Sequence, residues 1–174
     1  CHTRLTDPSG NDVSIDLHWR SAMMANAAHD PVYLAKVSSE IARALALKQV
    51  IETKCSLCHM PMAFTEAQVA GSPIAIFDDG FLNPANPLRE AALDGVSCNV
   101  CHQVEKDNLG TAESFSGGFV INTSTEPPDR KSYGPFPEPF EDTMRRSVGF
   151  TPTPGLQTLS ASLCAACHTL YTPY

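Results

Sequence analysis

The sequence predicts a mainly α fold with extensive irregular loops, and three observations carry that expectation. Two consecutive stretches, 12–30 and 31–54, have apolar residues at helical spacing and helix-capping signals at their starts. Residues 71–85 and 103–140 are rich in proline, glycine and polar turn residues instead. Alternating strand patterns are nearly missing, and Phe119-Val120-Ile121 is the one short segment read as a strand. A chain of 174 residues suits one domain, taken as 1–174.

In the first stretch, Asp12 or Ser14 can cap a helix that Asp30-Pro31 stops. One face of that helix would carry His18, Ala22, Ala25 and His29. Asp30 then caps a second helix with Pro31 at its first position, expected to run to Lys54. Its apolar stripe is Tyr33, Val37, Ile41, Ala44, Leu45 and Ile51. Asn86-Pro87 opens a short helix closed by Gly95. Short helices are also expected over 141–147 and 160–168.

Composition excludes some classes of function. Twelve basic against nineteen acidic side chains leave a net charge of −7, which opposes nucleic-acid binding through phosphate contacts. No apolar run approaches the roughly 18 residues of a transmembrane segment. The cysteines are more informative. Six of the seven form three C-x-x-C pairs: Cys55 and Cys58, Cys98 and Cys101, Cys164 and Cys167. A histidine follows each pair at once: His59, His102 and His168.

C-x-x-C-H is the attachment signature of c-type haem. Two thiols add to the two vinyl groups on one side of the porphyrin, and a single helical turn spans that gap. The histidine then offers a ring nitrogen to the iron. A structural zinc site, a redox dithiol and structural disulfides also use paired cysteines, but none requires the histidine. Chance would complete all three motifs on the order of 4 times in 100,000 at this histidine content. Three haem c groups are therefore expected. Cys1-His2 has two readings: the tail of a fourth motif, which its match to Cys167-His168 favours, or a lipidated N-terminal cysteine. On the first reading, Cys1 binds a fourth haem and His2 is its proximal ligand.

The second axial ligand sets the chemistry of a haem. His18 and His29 are the remaining histidines, and roughly 16 Å of helix between them would send them to different haems. Methionine can supply others, with Met24 and Met144 as candidates. Met60 and Met62, just past His59 in a Met-Pro-Met turn, are badly placed for the far face of their own haem.

These motifs resemble the multihaem c-type cytochromes of bacteria and archaea. So does the text around them: Trp19–Asn26 with Asp30-Pro31, Cys55–Met62, Asp94–Cys98 and Leu163–Leu170. The resemblance implies an architecture organised around covalently bound haems, and a chain that is a piece of a larger exported protein. It implies a periplasmic or extracellular location. It implies electron transport between iron centres, with other redox proteins or cytochromes as partners, or assembly into a homo-oligomer or filament. The alternative is a multihaem oxidoreductase, or part of one, acting on a small nitrogen or sulfur compound at a haem with an open axial site. Arg145-Arg146 could then bind an anion, although a solvated basic pair is the simpler reading. A haem-bearing structural or sensor module is a third class.

Overall fold

The computed structural model describes residues 3–171. They divide into two compact units, one ending at Ser97 and one beginning at Cys98. The fold is mainly α-helical with irregular loops and few strands.

In the first unit, helix α1 spans only Ile15–Arg20, and turns replace the helix expected as far as Asp30. Side chains of the segment itself end it. The Asn26 amide donates to the carbonyls of Arg20 and Ala22 at 3.1 and 2.9 Å, and the Ser21 hydroxyl donates to the His18 carbonyl at 2.9 Å. Such local bonds take over carbonyls that a continuing helix would use. His18 and His29 consequently do not share a helix face.

Helix α2, Pro31–Arg43, starts as expected, with the Asp30 carboxylate accepting from Val32 N–H at 2.8 Å and proline at the first position. It stops early. Ala44 leaves helical geometry (φ −138°, ψ 65°), and a 3₁₀ turn over Leu45–Leu47 leads into α3, Lys48–His59. The two helices pack against each other, which one straight rod to Lys54 could not do. Val37 is buried, with Tyr33, Ile41, Ile51 and Cys55 packed beside it, whereas Leu45 is left exposed on the turn.

Met60 leaves helical geometry (φ −136°, ψ 46°), and Pro61 opens α4, Pro61–Ala70, where the sequence predicts only a turn over Met60–Met62. Gly71 closes it in the left-handed region (φ +63°). The loop that follows is anchored from below: the buried carboxylate of Glu52 on α3 accepts from Ile76 and Phe77 N–H at 3.1 and 3.0 Å. Helix α5, Arg89–Leu93, then ends before Gly95, as expected. The core of this unit includes Ala28, Val37, Met60, Ala63, Ile76 and Phe81.

The second unit opens with α6, Cys98–Gln103. The expected strand at 119–121 reduces to an isolated antiparallel bridge between Val104 and Ile121. Strand β1, Lys131–Gly134, pairs in parallel with β2, Thr151–Pro154, with Lys131 opposite Thr151. Helix α7, Glu141–Val148, lies between them in sequence and packs on β2. Helix α8, Ala161–His168, follows, with the Ser160 hydroxyl accepting from Ser162 N–H at 3.2 Å. No helix among the described residues is long and apolar enough to cross a membrane.

Candidate haem-attachment sites

All three C-x-x-C-H segments are helical. The first ends α3, the second makes up most of α6, and the third ends α8. In each, the cysteines stand three residues apart and the histidine four from the first cysteine. Helical geometry therefore puts two sulfurs and one imidazole on one face. Capping and proline chemistry explain why two of the motifs sit at a helix end: Pro61 forbids α3 from continuing past Met60, and α8 stops at Thr169 in extended geometry.

Cys55, Cys98, Cys101 and Cys164 are thiols, so none of the three pairs is closed on itself as a disulfide. Cys98 and Cys164 are exposed, and the other four motif cysteines are half-buried. Burial above all, with Cys58, Glu40 and Glu52 adding to it, pushes the Cys55 thiol up. Burial, then Cys164 and Cys98, does the same for Cys101. A nucleophilic redox dithiol needs the opposite shift, toward thiolate at neutral pH. Among the described residues no three His, Cys, Asp or Glu side chains converge as a metal cluster would require. A C₄ zinc site needs four donors around one point, whereas a haem needs two sulfurs at its edge and one nitrogen at its centre.

The imidazoles are the best-defined part. His59 Nδ1 lies 3.1 Å from the Ala27 carbonyl oxygen, and His102 Nδ1 bonds the Tyr133 carbonyl oxygen on β1. A carbonyl can only accept, so Nδ1 carries the proton and donates in both cases. Nε2 is then left with its lone pair, the tautomer that binds a metal, and the donated bond raises its basicity. His59 is held a second way: Tyr33 of α2 stacks on it with ring centroids 3.8 Å apart and planes 3° from parallel. His168 is exposed at the end of α8. The donor set, the tautomers and the sulfur spacing fit c-type haem.

The distal candidates are less organised. His18 on α1 and His29 in the turns after it are exposed, and so is Met24. Met144 is half-buried on α7. Met60 is a fully buried core residue, while the Met62 sulfur accepts a hydrogen bond from the Ser97 hydroxyl. Cys1 and His2 lie outside the described residues.

The groups that hold His59 and His102 are not apparent from the sequence pattern. Two of them are backbone carbonyls, of Ala27 and Tyr133, which no side-chain pattern announces. Tyr33 was read only as part of an apolar stripe. Behind His102, the Tyr133 hydroxyl donates to Glu105, and burial followed by this bond pushes the phenol well above its usual range.

No family model matches the chain, and neither a curated protein nor a solved structure matches it.

Proposed function

We propose that this chain transfers electrons through three covalently attached c-type haems. The observation that carries the reading is the repeated arrangement of two sulfurs and one histidine on a helical turn. At His59 and His102 a backbone carbonyl also leaves Nε2 as the free donor. In this reading Cys55 and Cys58, Cys98 and Cys101, and Cys164 and Cys167 form the thioethers. His59, His102 and His168 ligate the irons. Haem iron would supply one-electron chemistry when bound. The protein contributes spacing, burial and ligand basicity.

Packing supports the same reading. Val100, Val104, Tyr133 and Ala166 are the buried hydrophobic residues among those described in the second unit. Meanwhile Phe136, Phe140, Leu156 and Leu170 are at least 70% exposed. A unit of this size without a larger apolar interior needs a staple, and covalent porphyrin is one. An exported location, where haem c is attached, and redox-protein partners belong to the same proposal.

Two measurements test it. The intact mass of matured protein should exceed that of the chain by at least three haems, and a colourless protein of bare-chain mass would end the proposal. EPR of the oxidised protein should show low-spin signals unchanged by cyanide. A high-spin signal that cyanide converts would instead mean an open iron and an oxidoreductase.

A further inference from the structure

Tyr33 is the group that the proposed function leaves unused. It sits in the first turn of α2, stacked on His59. Its hydroxyl is buried and has no hydrogen-bond partner among the described residues. A buried tyrosine hydroxyl normally finds one, because an unmet donor has given up its hydrogen bonds to water for nothing. The hydroxyl is thus an unmet donor on a ring that lies flat against the imidazole next to Cys58.

We propose that Tyr33 is a positioning residue: its ring fixes the plane of the His59 imidazole, and its hydroxyl donates to an acceptor on the group held by Cys55 and Cys58. The inference rests on haem attachment at the first motif. The two restraints on His59 are complementary. The bond to the Ala27 carbonyl fixes one ring nitrogen but still permits rotation about the line of that bond. A flat ring in parallel contact removes that rotation. The orientation of an axial imidazole governs the anisotropy of a low-spin ferric signal, so the effect is readable without any assay of activity.

The test uses the full matured chain with two substitutions. Tyr33→Phe keeps the ring and removes the donor. Tyr33→Leu removes both. Haem number is counted first by intact mass. Wild type without haem at the first motif overturns the functional reading itself, which separates that failure from a failure of this inference.

With all haems attached, Tyr33→Phe should keep the wild-type g values and lower one midpoint potential, because a donor's positive end near the iron favours the ferrous state. Tyr33→Leu should move the g values of one low-spin signal and leave the others. Unchanged potentials in Tyr33→Phe overturn the hydrogen bond. Unchanged g values in Tyr33→Leu overturn the stacking role. Should Tyr33→Leu fail to mature, the phenylalanine variant decides by both readouts: g values shifted from wild type would show that the ring alone does not hold the imidazole.

Discussion

His59 and His102 meet the same requirement by the same means, although different segments supply the partner. Each spends Nδ1–H on a backbone carbonyl, and in the proposed function each would present Nε2 to an iron. Replacing both Cys98 and Cys101 with alanine should remove one haem from the intact mass and leave the rest, since each site is self-contained in its motif. Thiol protonation gives a pH test on the haem-free chain. Cys55 and Cys101 are pushed up by burial in the folded chain relative to an unfolded one. The folded state therefore holds their protons longer. Their contribution to stability is complete below the ordinary thiol range and is lost as pH rises through the raised values. Alkylation by iodoacetamide near pH 8 should accordingly be slower at Cys55, which packs against the core of the first unit, in haem-free chain than in urea. Equal rates would show that the first unit does not shelter it.

At the scale of elements, two glycines separate backbone conformation from crowding. Both Gly71 and Gly95 have positive φ, +63° and +60°. A methyl at Gly71 would meet nothing within 4 Å, but at Gly95 it would lie 2.7 Å from the Met24 carbonyl oxygen and 2.8 Å from that of Ala25. Gly71→Ala should cost about 1 kcal/mol. Gly95→Ala should cost clearly more, because those carbonyls are backbone, and Met24 already accepts from Val96 N–H at 3.0 Å. Denaturant unfolding of the two variants checks the order. Glu52→Ala removes the acceptor for Ile76 and Phe77 N–H and opens a buried space under the loop, so a loss of about 2–3 kcal/mol is expected in the same measurement. The helix ends themselves were largely legible: Asp30-Pro31, Gly95 and Ser160 mark boundaries, whereas Asn86-Pro87, expected to open a helix, forms a turn and α5 begins only at Arg89. Pro61 and Gly71 bracket α4 with equally good signals, but reading Met-Pro-Met only as a turn hid the helix it starts.

Under the proposed function, the few buried apolar residues among those described beyond Ser97 predict that the second unit depends on haem for its packing. Chain with Cys98, Cys101, Cys164 and Cys167 replaced by alanine should bind a hydrophobic dye and lose the near-ultraviolet dichroism of the second unit. A chain that remained tightly packed without attachment would argue that haem is not its core. The net charge of −7 makes a further prediction. Electron transfer to a cationic partner should slow as ionic strength rises, because screening removes long-range attraction.

The three C-x-x-C-H motifs, the mainly helical content and most of the proline and glycine boundaries could be read from the chain alone, because all of these follow from residues close together in it. Spacing within one helical turn is a local property, and so is a cap. What holds His59 and His102 is a matter of long-range folding. Ala27 and Tyr133 act through carbonyl oxygens about thirty residues away, and Tyr33 acts through a ring face that becomes a contact only when α2 folds back on α3. The structure also decided that His18 and His29 part company. Asn26 and Ser21 offered the backbone local bonds that outcompeted a helix, and periodicity alone does not weigh that competition.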